Sequence, residues 1–201
     1  MRIPRFLTLL SAALFALCSA GFATSFNFAA FGTGDIGHTD TFLAGAVSMQ
    51  AWGFTGNASS PNTDLWYKAD GGDETGLGLS NDTVDHEVQG TSFLQFTAAN
   101  VATISIGSVQ SGETYQLYGS NTLGTLGTKI GSVGTADATN LNLAAIDGTW
   151  TYVSLFAPSG NVLLDNATAA APVVPEPGAT TMLMTLGVVG LLAFGRRKLF
   201  A

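Results

Sequence analysis

The stretch VATISIG, residues 101–107, indicates the fold class, because its side chains alternate with a period of two. In an extended strand, Ala102, Ile104 and Ile106 would lie on one face and the residues between them on the other. AVSMQAWGF, residues 46–54, alternates in the same way, and similar short runs recur between turn residues about every 8 to 12 positions. The pattern predicts an all-β domain over residues 24–165, an antiparallel and jelly-roll-like β-sandwich, with room for one short helix within residues 137–147.

Charge is distributed unevenly along the chain. Five of its seven bases flank two apolar end segments, and residues 24–171 hold 13 acids but only two bases, Lys68 and Lys129. A surface this acidic repels phosphate backbones, which proteins bind mainly through Lys and Arg. We therefore expect no nucleic-acid partner, and small metal cations would be the natural counter-ions.

Residues 1–23 have the three parts of a secretory signal peptide. Two arginines precede an apolar run over residues 6–17, and small residues follow it, so that a signal peptidase could cut after Ala20 or Ala23. Cys18, the one cysteine of the chain, would leave with this segment. The mature protein would then hold no disulfide, no thiolate metal site and no cysteine nucleophile.

The composition changes abruptly after residue 165. Residues 166–177 contain small residues and three prolines, as an extended linker does. Residues 178–195 then run without a charge, and such a segment, at about 1.5 Å per residue, just spans a bilayer core of roughly 30 Å. The bases at positions 196–198 would stay in the cytoplasm. We therefore predict a single transmembrane helix in residues 178–201, which anchors the precursor in the membrane.

The stretch VPEPGATTMLMTLGVVGLLAFGRRK, residues 174–198, resembles the PEP-CTERM sorting signal, a tail that is also named after ice-binding proteins. The resemblance implies that the recognition triplet is Pro175, Glu176 and Pro177, and that Arg196 and Arg197 form the cytoplasmic stop. It also implies a processing partner, an exosortase, which is a membrane cysteine transpeptidase of Gram-negative bacteria that make exopolysaccharide. We therefore expect an exported, membrane-anchored precursor whose final location is the cell surface or the extracellular space.

Seven of the 14 acids lie within residues 64–87. If VDHEV, residues 84–88, is a strand, Asp85 and Glu87 share one face at a separation of about 6.6 Å. With further oxygens from Asp70, Asp73 or Asp82 they could surround Ca²⁺, which takes about six to eight oxygen ligands. The spacing is not that of an EF-hand loop. A solvated acidic loop is the alternative that the pattern leaves open.

Neither histidine indicates a catalytic site. On a strand, His86 would face the way its neighbouring valines face, and His38 lies in a turn-like stretch. No G-x-S-x-G motif nominates a serine nucleophile, and the carboxylates that glycoside hydrolysis would need carry no specific signal. We therefore do not expect an enzyme, with a secreted polysaccharide-active hydrolase as an alternative.

Aromatic side chains offer the remaining functional evidence. On an exposed sheet face such rings would stack on sugars, whereas in a sandwich most of them would be core or edge residues. Export, an acidic sandwich and an exopolysaccharide-linked tail together favour a glycan-binding or adhesive protein of the cell surface or biofilm matrix. A passive structural surface protein is a further alternative. The aromatic candidates are Trp52, Trp66, Tyr67, Tyr115, Tyr118, Trp150 and Tyr152.

Overall fold

The computed structural model describes residues 24–145 and 149–170. In these residues the chain forms β-strands and two short 3₁₀ turns, with no α-helix. No helix of this described part has the length and apolar character needed to cross a membrane. The predicted signal peptide, residues 1–23, and the predicted transmembrane segment, residues 178–201, lie outside the described residues.

Thirteen strands make up the described domain. In chain order, with the two 3₁₀ turns η1 and η2, they are η1 (Phe28–Phe31), β1 (Gly34–Gly37), β2 (Thr39–Ala44), β3 (Val47–Thr55), β4 (Leu65–Ala69), β5 (Thr75–Leu79), β6 (Val88–Gln89), β7 (Ser92–Thr97), β8 (Val101–Gly107), β9 (Thr114–Ser120), β10 (Thr128–Gly134), β11 (Ala138–Asn142), η2 (Leu143–Ala145), β12 (Tyr152–Ser159) and β13 (Asn161–Ala169). The stretch with room for one short helix, residues 137–147, begins with strand β11, which pairs with β8, and its helical part is the 3₁₀ turn η2.

The strands form two antiparallel sheets, as predicted. One has the order β1-β4-β5-β13-β8-β11, with the short β6 also paired to β13, and the other has the order β10-β9-β12-β7-β3-β2. The two stretches with the clearest alternation are both strands: VATISIG is β8, and AVSMQAWGF contains most of β3.

The two sheets bury their facing sides in one shared core, as in a β-sandwich. Each large apolar side chain buried there stabilises the fold by about 1.5–3 kcal/mol. The jelly-roll-like connectivity is a finer statement, and it stays a prediction. Fully buried members of the core include Met49, Phe96 and Leu155 from the six-stranded sheet and Leu77, Ile104 and Leu164 from the seven-stranded sheet.

The six-stranded sheet also carries a second apolar cluster on its outer face, the face away from the shared core. The loop of residues 121–127 covers this cluster. Gln95, which is fully buried, holds the loop in place, because its carboxamide accepts a hydrogen bond from Gly124 N–H (2.7 Å) and donates one to Thr125 O (3.1 Å). The buried members of this second cluster are Trp52, Phe54 and Phe93.

The strand predicted over residues 84–88 is wrong. Residues 81–85 form successive turns, and strand pairing begins only at β6. The Asp82 carboxylate accepts hydrogen bonds from two backbone N–H groups within the turn (3.2 and 3.3 Å). In a strand these N–H groups would instead be available to a neighbouring strand. His86 has a φ of 57°, in the left-handed region that no regular strand occupies.

The predicted linker begins too early. β13 continues to Ala169, and Ala167 and Ala169 are buried, so residues 166–169 belong to the packed domain and not to the linker of residues 166–177. The start of the domain pairs with this strand end, because Phe26 N–H donates to Ala167 O and Ala169 N–H donates to Thr24 O, both at 2.8 Å. Buried alanines alternate here with polar residues at the period of a strand. Composition, which indicated a linker, does not report this alternation.

Candidate functional site

Two loops, residues 70–74 and 81–87, cover part of the outer face of the seven-stranded sheet. The sequence GLGL in β5 permits this, because its leucines enter the shared core and its glycines lie on the other face. A Cβ atom at Gly78 would meet the backbone of the second loop, which therefore lies directly on the strand. Gly107 of β8 leaves room for the first loop in the same way. Because these glycines have no side chain, the backbones of both loops can pack directly against the backbone of the sheet.

Gly78→Ala is expected to destabilise the domain by about 1–3 kcal/mol, because the added methyl group meets rigid backbone and forces the loop away from β5. Urea denaturation measures this change. Gly90→Ala is the matched control: its new Cβ lies 3.2 Å from Ala157 O and needs only a small shift. Equal stability of Gly78→Ala and wild type would contradict the close packing of the loop.

A buried lysine lies beneath the two loops. Lys68 of β4 is 7% exposed, and its Nζ donates to Glu87 Oε1 (2.7 Å) and to Glu74 Oε2. Ser108, which follows β8, places its hydroxyl 2.9 Å from Glu74 Oε1 and 3.0 Å from Glu87 Oε1. We call these four residues, Lys68, Glu74, Glu87 and Ser108, the lysine–carboxylate cluster.

Burial and close contacts set the charges of this cluster. Burial opposes the charged form of Lys68, but its hydrogen bonds to Glu74 and Glu87 outweigh that effect and raise the pKa of the amine above its ordinary value. The hydrogen bond from Lys68 lowers the pKa of Glu74 to about 2, although burial acts against it. Burial raises the pKa of Glu87 to about 7 against the influence of its hydrogen bond from Lys68, and the neighbouring Glu74 carboxyl group acts in the same direction as burial. Two adjacent carboxyl groups therefore differ widely in acidity.

Glu87 contains an unsatisfied buried atom. Its side chain is 2% exposed, and Oε2 has no hydrogen-bond partner among the described residues, whereas Oε1 receives both Lys68 and Ser108. Buried polar atoms without a partner are rare and cost free energy of folding. The second oxygen of Glu87 is therefore a buried polar atom whose hydrogen-bonding capacity is not used within the described residues.

The acids predicted to bind Ca²⁺ are distributed among different partners. Two of them share Asn161, whose Nδ2 donates to Asp82 Oδ2 (3.0 Å) and to Asp85 Oδ2 (3.1 Å). Within residues 24–145 and 149–170, no three His, Cys, Asp or Glu side chains form a group that could hold a metal ion. Calcium binding stays a prediction, without the shared strand face on which it rested. The five predicted ligands are Asp70 and Asp73, which are exposed, Asp82 and Asp85 beside Asn161, and Glu87 beside Lys68.

Asp82→Ala is expected to lower the free energy of unfolding at pH 7 by about 1–3 kcal/mol, because the carboxylate holds the turn. Burial opposes ionisation of this group, but the hydrogen bond from Asn161 and those from backbone N–H groups lower its pKa below the ordinary 3.8. The contribution is therefore present above pH 3.8 and is lost as the pH falls through the folded-state pKa. Denaturation curves should show a smaller difference between variant and wild type at pH 3 than at pH 7.

Asp85→Ala is the matched control for Asp82→Ala, because Asp85 is exposed and accepts one hydrogen bond, from Asn161. We expect this variant to lose less stability than Asp82→Ala. If the difference in free energy of unfolding between Asp82→Ala and wild type were larger at pH 3 than at pH 7, the role assigned to the Asp82 carboxylate would be contradicted.

The two histidines have separate surroundings. His86 stacks on the Trp66 ring with centroids 3.7 Å apart, and its buried Nδ1 has no hydrogen-bond partner among the described residues. His38 is exposed, and its Nε2 lies 3.2 Å from Asp64 Oδ1. Neither histidine contacts a serine hydroxyl in the hydrogen bonds of the described residues, so neither forms part of a triad there.

The aromatic candidates divide between core and surface. Trp52 and Tyr115 are buried, whereas the other five are half-buried. Tyr118 and Tyr152 lie on the outer face of the six-stranded sheet, where Tyr118 packs edge-on against Phe156 (ring centroids 5.9 Å apart). Phe156 was not among the sequence candidates, although it shares a strand face with Tyr152 by the period of two.

Comparison with known proteins identifies the tail. Residues 173–198 match the family model of the PEP-CTERM protein-sorting motif, which confirms the resemblance drawn from the Pro-Glu-Pro triplet and the basic end. No curated protein and no solved structure matches the chain. The motif implies an exported protein with a membrane-anchored precursor, which an exosortase sorts to the cell surface. The chain thus carries a sorting signal of a known type. The motif does not indicate the activity of the domain that precedes it.

Proposed function

We propose that residues 24–170 form a glycan-binding domain, which an exosortase-type system delivers to the cell surface to contact the exopolysaccharide of a biofilm matrix. The PEP-CTERM motif supports the delivery. The glycan-binding part is supported mainly by one observation, a group of half-buried aromatic rings on the outer face of the six-stranded sheet. We call Tyr118, Tyr152 and Phe156 the aromatic face.

The arrangement of the aromatic face supports a role in sugar stacking. β12 and β9 are neighbours, and their register places Ser154 opposite Tyr118, so the side chains of Tyr152 and Phe156 flank that position on the same side. The Trp52 ring packs edge-on against the Tyr152 ring, with centroids 5.6 Å apart. Rings fixed in this way lose little conformational freedom when a ligand binds, and the two tyrosines present apolar area beside a hydroxyl group.

Polar groups at the edge of the aromatic face would orient a sugar. Lys129 of β10 is paired with Tyr118 and is exposed, so its ammonium group lies on the same sheet face as a hydrogen-bond donor. Acids predominate elsewhere on the domain, which disfavours strongly anionic polysaccharides through repulsion. Neutral or weakly charged glycans are therefore the ligand class that we propose.

A binding experiment with the full chain tests this function. Polysaccharide from the producing cells is titrated against wild type and Tyr118→Ala, and we expect the variant to bind about tenfold more weakly, a loss of about 1.4 kcal/mol. Phe31→Ala is the matched control, since Phe31 is an exposed ring that packs on Phe42 outside the aromatic face. Equal binding by Tyr118→Ala and wild type would reject the aromatic face as the site.

The same titration separates the alternative functions. A passive structural surface protein would bind no glycan, and a polysaccharide-active hydrolase would release reducing ends during the incubation. We propose no enzyme, because the neighbouring carboxyl groups of Glu74 and Glu87 both pair with Lys68, and Glu87 is closed to solvent.

A further inference from the structure

The lysine–carboxylate cluster contains the components of an amide-forming reaction. An amine, Lys68 Nζ, lies 2.7 Å from an oxygen of the almost inaccessible Glu87, and a second carboxyl group, that of Glu74, contacts the same amine. Ser108 donates toward the same Glu87 oxygen that the amine approaches, at 3.0 Å. Groups held in contact in this way react with effective concentrations far above those possible in solution.

We propose that Lys68 and Glu87 become joined by an intramolecular isopeptide bond, with Glu74 as the base that accepts the proton of the amine. Such a bond would link β4 directly to the loop of residues 81–87. It would be a covalent modification formed within the folded chain, without any enzyme, oxidant or cofactor.

The step balances in atoms and charge. The Lys68 ammonium gives one proton to the Glu74 carboxylate, and the neutral amine attacks Cδ of Glu87 in its protonated form. The new Nζ–Cδ bond forms as the Cδ–Oε2 bond breaks, and Oε2 leaves as water with the carboxyl proton and a second proton from the amine. The products are an uncharged amide, one water molecule and a protonated Glu74.

Each role follows from the surroundings of the group. Glu87 is the electrophile because its burial favours the neutral carboxyl form, which an amine attacks far more readily than a carboxylate. Glu74 is the base because its carboxylate already accepts a hydrogen bond from the Lys68 ammonium, so the proton moves along an existing contact. The low pKa of Glu74 and the raised pKa of Lys68 make this transfer unfavourable, so the reaction is slow. Ser108 polarises the Glu87 carbonyl through Oε1, as a donor in an oxyanion site does.

The unsatisfied oxygen of Glu87 supports the same conclusion. Oε1 receives both donors and would become the amide carbonyl oxygen, whereas Oε2 has no partner among the described residues and is the atom that departs. The reaction thus replaces a buried ion pair and a buried bare oxygen with one hydrogen-bonded amide, and it removes the cost of desolvating them. Because the reaction occurs once in the life of each molecule, a slow rate is sufficient.

Trypsin tests the proposal directly, because Lys68 and Lys129 are the only cleavage sites between residues 24 and 195. The full chain recovered from cells is denatured, digested and analysed by mass spectrometry. We expect no cleavage after Lys68 and a fragment that ends at Lys129 and is one water lighter than its sequence. Cleavage after Lys129 in the same sample shows that digestion was complete.

Two variants isolate the chemistry. Lys68→Arg keeps the cation and the trypsin site but cannot form this amide, so we expect cleavage after residue 68. Glu74→Gln removes the base and leaves both reacting groups, and we expect cleavage after Lys68 in this variant too. A wild-type protein that is cut after Lys68, with its Glu87 peptide at the unmodified mass, overturns the proposal even if neither variant folds.

Discussion

Lys68→Met is expected to lower the free energy of unfolding by about 3–5 kcal/mol, because the loss of Lys68, whether it is hydrogen-bonded or amide-linked to Glu87, leaves the buried Glu87 carboxyl group uncompensated. The loss concerns Glu87 above all, since its carboxyl group is 2% exposed and depends on Lys68 and Ser108 for its hydrogen bonds. Urea denaturation at pH 7 measures the change. Lys129→Met is the matched control, because Lys129 is exposed on β10 and its replacement should change stability by no more than about 0.5 kcal/mol.

The pH dependence of Lys68→Met gives an independent check on this cause. Glu87 is free to titrate in the variant, and burial raises its folded-state pKa above the ordinary 4.5. The folded state then binds its proton more tightly than the unfolded state does, so this contribution is fully present below pH 4.5 and is lost as the pH rises through the folded-state pKa. We therefore expect Lys68→Met to become more stable when the pH is lowered from 7 to 5.

The double variant Lys68→Met with Glu87→Gln distinguishes charge from packing. Its buried carboxamide carries no charge, so the double variant should be more stable than Lys68→Met at pH 7 and should lose the acid stabilisation described above. If the double variant lost as much free energy of unfolding as the two single variants together, packing around Lys68 would be the dominant cause.

Local patterns predicted the fold well because alternation within one strand is a local property. VATISIG and AVSMQAWGF are strands, and their alternate residues enter the shared core. The failure at VDHEV has a local cause that periodicity does not report: Asp82 hydrogen-bonds the backbone two and three residues later and turns the chain. An aspartate that precedes an apparent alternation by two residues is a signal that could have been weighed against a strand.

The lysine–carboxylate cluster could not be predicted from sequence, because its members come from distant positions. Lys68 meets carboxyl groups 6 and 19 residues further along the chain, and Ser108 joins from beyond β8. Two signals were nevertheless present. Lys68 is one of only two bases in a strongly acidic domain, and GLGL in β5 presents glycines on one sheet face, where backbone can approach.

The tail prediction carries the largest expected effect, a change in the location of the whole protein. We expect mature protein from the producing cells to lack everything beyond the neighbourhood of Pro175, Glu176 and Pro177. The motif match over residues 173–198 implies processing by an exosortase, and the prolines disfavour a helix that would continue into the domain. The packed chain extends to Ala170, whose N–H donates to Asn100 O (2.9 Å), so a cut beyond this residue leaves the domain intact.

Variants of the motif test the prediction through location and mass together. Glu176→Ala alters the recognition triplet, and deletion of residues 196–198 removes the basic end that fixes the orientation of the tail. Both should leave most of the protein uncut in the membrane fraction, whereas Ala171→Ser, which lies outside the matched residues 173–198, is the control and should be processed normally. Because a permanent anchor needs neither an intact triplet nor a cleavage site, bulk surface protein that still ends at Ala201 by intact-mass analysis would establish an uncleaved tail and reject processing.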